Sequence, residues 1–278
     1  MPARRPQAFA TGGSIIVRTT AVRPPAVPAP ALLPFLTARN DVLPAGAFPA
    51  AATTITAVLA VVLQLALVIG ITATIVLHAG ARALQANLAP VSVATQLVIT
   101  VASTVFVLLR LPALARAPLS RLHIAGPLTW PVLAAGLAGG LAVLCATDGI
   151  AAVLQLLFPG AERDTMIGIV RQSSSGAMVA AIAFANVVAT PVAEELFFRG
   201  LIFNALWARL PLWSAACLSG TIFGLYHMNL HTLLPLSVAG VLLALLYARF
   251  RSLWCNVVAH AALNAAVVLF ALSPLGRS

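Results

Sequence analysis

The sequence predicts an all-α, polytopic transmembrane helical bundle of about seven to eight spans. Hydrophobic residues make up 61% of the chain and charged residues only 8%, and the mean hydropathy is +1.04. A soluble domain carries about 25% charged residues, so this chain cannot cover itself with a water-compatible surface. Long apolar runs supply the helices, because about 20 apolar residues are needed to cross a bilayer.

The apolar runs follow a different N-terminal segment. Residues 1–50 are rich in Pro, Ala and Arg and sustain no helical period, which predicts a disordered or loosely structured extension. Residues 51–129 should form N-terminal transmembrane helices, 130–272 the core, and 273–278 a short tail. The predicted spans are approximately 52–77, 90–109, 131–157, 176–198, 212–229, 231–249 and 253–272.

Residues 199–211 join the fourth and fifth predicted spans. They contain Phe203, Trp207 and two arginines, a mixture that favours a short amphipathic helix at the membrane interface. The alternative is that this stretch continues a neighbouring span.

Arginine supplies every positive charge behind the formal net charge of +10, since no Lys occurs. A basic chain can bind nucleic acid, but these arginines are spread among the ends of apolar runs. With the N-terminus in the cytoplasm, twelve of the sixteen face the cytoplasm and four the other side, as the positive-inside rule expects. The arginine pattern predicts a multi-pass membrane protein with lipids and not nucleic acid as partners. The Arg-only, Ala-rich composition favours a bacterial cytoplasmic membrane.

Glu194 and Glu195 stand side by side in an apolar segment of a chain that has only six acidic residues. An ionisable group at membrane depth is costly unless it is paired, protonated or facing water. Arg199 is four residues from Glu195 and shares its helix face, so it can hold that carboxylate ionised. Glu194 points about 100° away and lacks this partner. The two acids should therefore differ, one bracing structure and one transferring protons.

Two histidines supply complementary groups further along the chain. Phe223 and His227 are four residues apart, as are His260 and Asn264, so each pair lies along one helix face. Imidazole exchanges protons near pH 7, and a His–Asn pair can donate to a developing oxyanion. No Ser, Cys or Thr completes a nucleophile arrangement, which makes water the nucleophile and favours hydrolysis of an amide or ester within the membrane.

The predicted spans leave one conflict. They put His227 toward the outer end of its helix, whereas Glu194 and His260 lie nearer the cytoplasm. If the three side chains meet, a helix must kink or the boundaries near 199–231 must shift. A kink is expected at Pro191, which leaves the carbonyl of Val187 without its helical donor.

These motifs, EExxxR, FxxxH and HxxxN in order, resemble the CAAX prenyl-protease and bacteriocin-processing family, also called type II CAAX endopeptidases or Abi-domain proteins. Gly200 and Phe203 extend the first motif, and the resemblance covers about residues 130–272. It implies an intramembrane endopeptidase acting on membrane-associated or prenylated peptides and proteins. The roles it implies are water activation by Glu194 with His227, oxyanion stabilisation by His260 and Asn264, and support by Glu195, Arg199 and Phe223.

Several alternatives stay open at the level of sequence. Glu194, His227 and His260 are a candidate set of ligands for Zn²⁺ with an open position for water, although no HExxH motif is present. A proton-coupled transporter would use the same groups as a relay, and a non-catalytic scaffold or immunity protein would keep only the fold. His231 and Asp148 receive no role.

Overall fold

The computed structural model describes residues 43–124, 126–158, 168, 170, 173 and 175–273. This part of the chain forms α-helices and no strand, which confirms the predicted all-α polytopic bundle. Predictions for residues 1–42 and 274–278 lie outside the described residues. The helices are α1 Ala50–Ala79, α2 Ala81–Ala86, α3 Leu88–Ala115, α4 Trp130–Leu157, α5 Gly176–Trp207, α6 Leu212–Tyr226, α7 Leu230–Phe250 and α8 Leu253–Leu272.

The number of full spans differs from the sequence prediction. Among the described residues, six helices are long and apolar enough to cross a membrane: α1, α3, α4, α5, α7 and α8. The predicted span 212–229 is instead α6, a helix of 15 residues. At 1.5 Å per residue it is roughly 22 Å long, short of the ~30 Å hydrocarbon core. Hydropathy alone cannot tell a spanning helix from an apolar helix that ends within the bundle.

The predicted interfacial helix after residue 198 is wrong, because this stretch continues α5. The helix runs unbroken for 32 residues to Trp207. Phe203 and Trp207 are buried in the protein core and their rings stack with centroids 5.2 Å apart. The aromatic side chains that resembled interface anchors therefore pack inward, against the centre of the bundle.

Helix α5 occupies the centre of the bundle and positions the acidic pair. It contacts α1, α3, α6, α7 and α8. The chain before α1 also packs here: Phe48 is fully buried, and its N–H donates to the carbonyl of Leu114 at 2.6 Å. Arg209 donates back to the carbonyl of Phe48. Residues 43–49, assigned by sequence to the loose extension, are thus part of the packed structure.

Helices α6 and α7 approach each other closely through glycines. A Cβ atom at Gly220 would lie 2.6 Å from the carbonyl oxygen of Ser237 and from the nitrogen of Val241. A Cβ at Gly240 would lie 2.7 Å from the Cα of Gly220. Small residues allow this kind of approach in membrane bundles. The consequence for the site is that backbone atoms of α7 come within reach of side chains on α5.

Replacing Gly220 by Ala should lower the thermal unfolding temperature, because the backbones of α6 and α7 must separate. Overpacking of this kind costs roughly 1–3 kcal/mol. Gly70→Ala is the matched control, since a Cβ there meets nothing within 4 Å and alanine has the higher helix propensity. Thermal unfolding of the purified protein in detergent measures both variants. Equal unfolding temperatures for the two variants would contradict the close approach.

Candidate active site

Glu195 is the centre of a buried polar cluster that links three helices. Its side chain is fully buried, and Oε1 accepts from Nη1 of Arg199 at 2.9 Å and from Nδ1 of His260 at 2.8 Å. Oε2 accepts from the amide of Asn256 at 3.2 Å. Three donors around one carboxylate offset the loss of its hydration. The i,i+4 pairing of Glu195 with Arg199 expected from their spacing is confirmed.

Arg199 extends this cluster to α7. Its side chain is fully buried, and Nη2 donates to the carbonyl of Gly240 at 3.1 Å. The guanidinium carbon lies 5.1 Å from the centre of the Phe223 ring, within cation–π range. Phe223, the first residue of the FxxxH motif, therefore forms one wall of the site.

His260 lies between the two glutamates. Its Nδ1 is 2.8 Å from Oε1 of Glu195, and its Nε2 is 3.8 Å from Oε2 of Glu194. Because a carboxylate only accepts, Nδ1 carries the hydrogen. The second contact is too long for a direct hydrogen bond. A water molecule that bonds both Nε2 and the carboxylate would link them. Glu195 thus sets the orientation with which His260 faces Glu194.

Glu194 differs from its neighbour in having an unused oxygen. Its Oε2 is buried and makes no hydrogen bond within the described structure, although 15% of the side chain is exposed. The side chain also lines a small cavity of about 20 Å³, and one water needs roughly 10–15 Å³ on the same scale. Glu194 thus combines a buried oxygen without a hydrogen-bond partner and a side chain that borders a space of the size of water. The cavity is lined by Gln64, Gln96, Ile99, Thr100, Ser103, Thr190, Ala193, Glu194, Phe197, Phe198 and Tyr226.

Helix α5 changes its hydrogen-bond register on both sides of the acidic pair. Phe184–Ala189 and Leu196–Phe203 are π-helical, and Thr190–Glu195 between them is α-helical. In the first π segment the N–H of Thr190 bonds the carbonyl of Ala185, five residues earlier. π-helical turns of this kind occur frequently at functional sites.

Asn264 satisfies a carbonyl that this register leaves open. The next donor in the π pattern would be Pro191, which has no N–H, so the carbonyl of Asn186 loses its helical partner. The amide of Asn264 donates to that carbonyl at 2.8 Å. The sequence predicted the open carbonyl at Val187; the π register moves it to Asn186. One N–H of the Asn264 amide is therefore structural, and the amide keeps a second N–H.

The second π segment is held in the same way. The amide of Asn204 donates to the carbonyls of Arg199 at 2.9 Å and Gly200 at 3.3 Å. It also contacts the hydroxyl of Tyr247 at 3.0 Å, which in turn donates to the carbonyl of Leu122 at 2.6 Å. These buried contacts fix the helix just beyond the acidic pair.

His227 joins the site through aromatic contacts. Its ring centroid lies 4.8 Å from that of Phe223, and the Phe223 ring lies 5.9 Å from that of His260. The Nδ1 of His227 donates to the carbonyl of Phe223 at 2.8 Å, so Nε2 is its acceptor nitrogen. Helix α6 ends at Tyr226, before the predicted end of the span at 229, and the ring of His227 contacts Phe223 and Tyr226. That His227 meets Glu194 stays a prediction. His260 is the histidine within 4 Å of Glu194.

The described residues contain no group of three or more His, Cys, Asp or Glu side chains that could hold a metal ion. The candidate zinc ligands Glu194, His227 and His260 are not assembled at ligand spacing, and Nδ1 of His260 is bound to Glu195. His231 and Asp148 are both exposed and lie outside the cluster.

Six polar cavity residues were not predicted as site residues from the sequence. Four belong to the first helices: Gln64 on α1, and Gln96, Thr100 and Ser103 on α3. Gln96 donates to the hydroxyl of Thr190 at 3.1 Å, across to α5. Their signal in the sequence is a polar side chain inside an apolar span, but periodicity does not say which helix they face. The other two are Thr190 on α5 and Tyr226 at the end of α6.

Residues 176–266 match the family model described as type II CAAX prenyl endopeptidase, Rce1-like. This segment, about a third of the chain, is similar to the CAAX prenyl endopeptidases. The match lies within the predicted core and includes all three motifs. The six apolar helices agree with an integral membrane protein.

A protein of Bacillus subtilis (strain 168) named "Putative membrane peptidase YdiL" is similar to part of this chain. The two are 38% identical over 85 residues, which is 31% of this chain and 35% of that protein. The chain thus matches about a third of the length of this curated relative. No solved structure matches the chain significantly.

Replacing Arg199 by Met should destabilise the protein strongly, because Glu195 would keep a buried charge without its main partner. Breaking a buried ion pair in this way costs about 3–5 kcal/mol. The double variant Glu195→Gln/Arg199→Met should recover part of that loss, since it removes both charges. Arg249→Met, at an exposed position, is the control and should be near neutral. Thermal unfolding in detergent measures all three, and a double variant less stable than Arg199→Met would contradict the role of the pair.

Proposed function

We propose that this protein is an intramembrane endopeptidase in which Glu194 activates a water molecule. The observation that carries the proposal is that Glu194 lines a water-sized cavity while its buried Oε2 has no hydrogen-bond partner in the described structure. A carboxylate in that state keeps its capacity to accept a proton. Its neighbour Glu195 has no such capacity to spare, since three donors occupy it.

The reaction follows from these positions. Glu194 accepts a proton from water, assisted by His227 as the family resemblance implies, while the water oxygen bonds to the scissile carbonyl carbon. The carbonyl oxygen becomes an oxyanion. The oxyanion accepts from the second N–H of Asn264 and from Nε2–H of His260, which must be an imidazolium in this step because its Nδ1–H is bound to Glu195. When the C–N bond breaks, the leaving amine takes the proton held by Glu194, and the carboxylate is restored.

Glu195, Arg199 and Phe223 support this chemistry and do not take part in it. Glu195 holds the His260 ring by its Nδ1 hydrogen, which leaves Nε2 for the reaction. Arg199 keeps Glu195 ionised and ties it to α7. Phe223 contacts both histidine rings. A site held on rigid helices in this way is preorganised for its transition state.

The proposed substrates are peptide segments of membrane-associated or prenylated proteins. An extended segment exposes backbone groups that need partners once water is excluded, and the polar side chains around the cavity offer donors and acceptors. A cavity of about 20 Å³ holds water but not a peptide, so binding requires the surrounding helices to separate. The two-residue connection between α7 and α8, Arg251 and Ser252, and the glycine contact of α6 with α7 limit that separation on one side.

Replacing Glu194 by Gln should abolish cleavage, because the amide cannot accept the proton from water. Loss of a general base lowers the rate by roughly 100-fold to 10,000-fold. Mass spectrometry of peptides from cells with matched membrane levels of wild type and variant would detect termini formed only by the wild type. His227→Ala should lose the same termini.

Asp148→Asn is the control, since it makes the same kind of acid-to-amide change at an exposed residue outside the cavity. It should leave cleavage unchanged. A proton-coupled transporter would also fail with Glu194→Gln, but it would produce no new termini. Absence of any wild-type-specific terminus, with folded and abundant protein, would refute the peptidase and leave the transporter or scaffold readings.

A further inference from the structure

Tyr226 makes a short hydrogen bond to a residue far away in the chain. Its hydroxyl donates to Oε1 of Gln64 on α1 at 2.5 Å. The amide of Gln64 donates in turn to Oγ of Ser103 on α3 at 2.8 Å. All three side chains line the cavity that holds Glu194. This chain of contacts brings the first helices, which lie outside the family-matched segment 176–266, into the site.

The contact with Gln64 decides what the Tyr226 hydroxyl offers to the cavity. A phenol has one hydrogen and two acceptor lone pairs. Because the hydrogen is committed to Gln64, only lone pairs remain for a molecule in the cavity. A free hydroxyl would instead be able to turn its hydrogen into the cavity that Glu194 also lines. A hydrogen donated to Glu194 would occupy a carboxylate that must accept a proton from water.

A water molecule that attacks a carbonyl is oriented when each of its hydrogens has an acceptor and one lone pair is left free. Glu194 supplies one acceptor, since its side chain lines the cavity and its Oε2 makes no hydrogen bond in the described structure. We propose that the Tyr226 hydroxyl oxygen is the second acceptor and that Gln64 is the positioning residue that makes it one. The water would then sit with one O–H toward Glu194, the other toward Tyr226, and one lone pair toward the substrate, and His227 would assist Glu194 without accepting a hydrogen from the water.

Gln155 provides a matched comparison for Gln64. Both are glutamines on long apolar helices, but Gln155 is exposed on α4 and lies outside the cavity. If the loss of a glutamine from a spanning helix matters only through general polarity or stability, the two should respond alike to substitution. If the orientation of the Tyr226 hydroxyl matters, only Gln64 should change the chemical step.

The inference rests on the proposed peptidase activity and is tested with the full-length protein in detergent or lipid, on a peptide substrate identified from the cleavage termini. Tyr226→Phe removes one oxygen, and Gln64→Met removes the acceptor at similar length. Each should lower kcat roughly ten-fold, as expected for one hydrogen bond to the attacking water. KM should change less than two-fold, because the water is not part of the substrate-binding surface.

The double variant Gln64→Met/Tyr226→Phe separates positioning from general damage. Its kcat should equal that of Tyr226→Phe alone, because Gln64 acts only through the hydroxyl that Phe lacks. Gln155→Met, at an exposed position of α4 outside the cavity, should keep kcat near the wild-type value. Multiplicative losses in the double variant, or an equal loss with Gln155→Met, would overturn the inference. Should Gln64→Met fail to fold, a Tyr226→Phe variant with unchanged kcat would overturn it alone.

The outcomes also separate this inference from the peptidase assignment. A wild type that cleaves, with activity lost in Glu194→Gln but kept in Tyr226→Phe, overturns only the role of Tyr226 and Gln64. A folded wild type that yields no cleavage product overturns both. A kcat loss confined to Tyr226→Phe and Gln64→Met, without additivity, supports both.

Discussion

The ion pair of Glu195 and Arg199 is the interaction on which the rest of the site depends. Two fully buried charges on one helix are stable only because each finds further partners on other helices. Arg199 reaches the backbone of α7 at Gly240, and Glu195 gathers Asn256 and His260 from α8. The pair therefore fixes the mutual positions of three helices. Glu194 makes no comparable set of contacts, and its Oε2 has no hydrogen-bond partner among the described residues.

Local spacing predicted this part of the site well. The i,i+4 relation of Glu195 to Arg199 is contained within one helical turn, so the sequence alone was enough to predict it. Gln64 was not predictable in the same way. It meets Tyr226 across 162 residues of sequence, and no local pattern indicates which polar side chain of one span faces which of another. The π-helical register of α5 was equally unpredictable from the sequence. Because of it, the carbonyl that lacks a helical donor is that of Asn186 and not that of Val187.

The fold shows a similar division between what composition determines and what packing determines. Composition was sufficient for a membrane bundle, because so few charges cannot cover a soluble surface. It was not sufficient for the status of individual apolar segments. Helix α6 and the end of α5 have the hydropathy of membrane or interface segments, yet one is too short to span and the other is buried. Burial against protein and burial against lipid give the same signal in a sequence.

The two π segments of α5 have a consequence for how this helix can vary. Each residue of an α-helix turns the following side chains by about 100°, so one insertion or deletion re-aims everything beyond it. In α5 the six residues Thr190–Glu195 lie between two π-helical segments. Asn264 of α8 binds a carbonyl of the first segment, and Asn204 at the end of α5 binds a carbonyl of the second. The direction of the two carboxylates is therefore set by these local anchors. An insertion or deletion in the terminal turns of α5 would then rotate those turns without changing the direction of the two carboxylates.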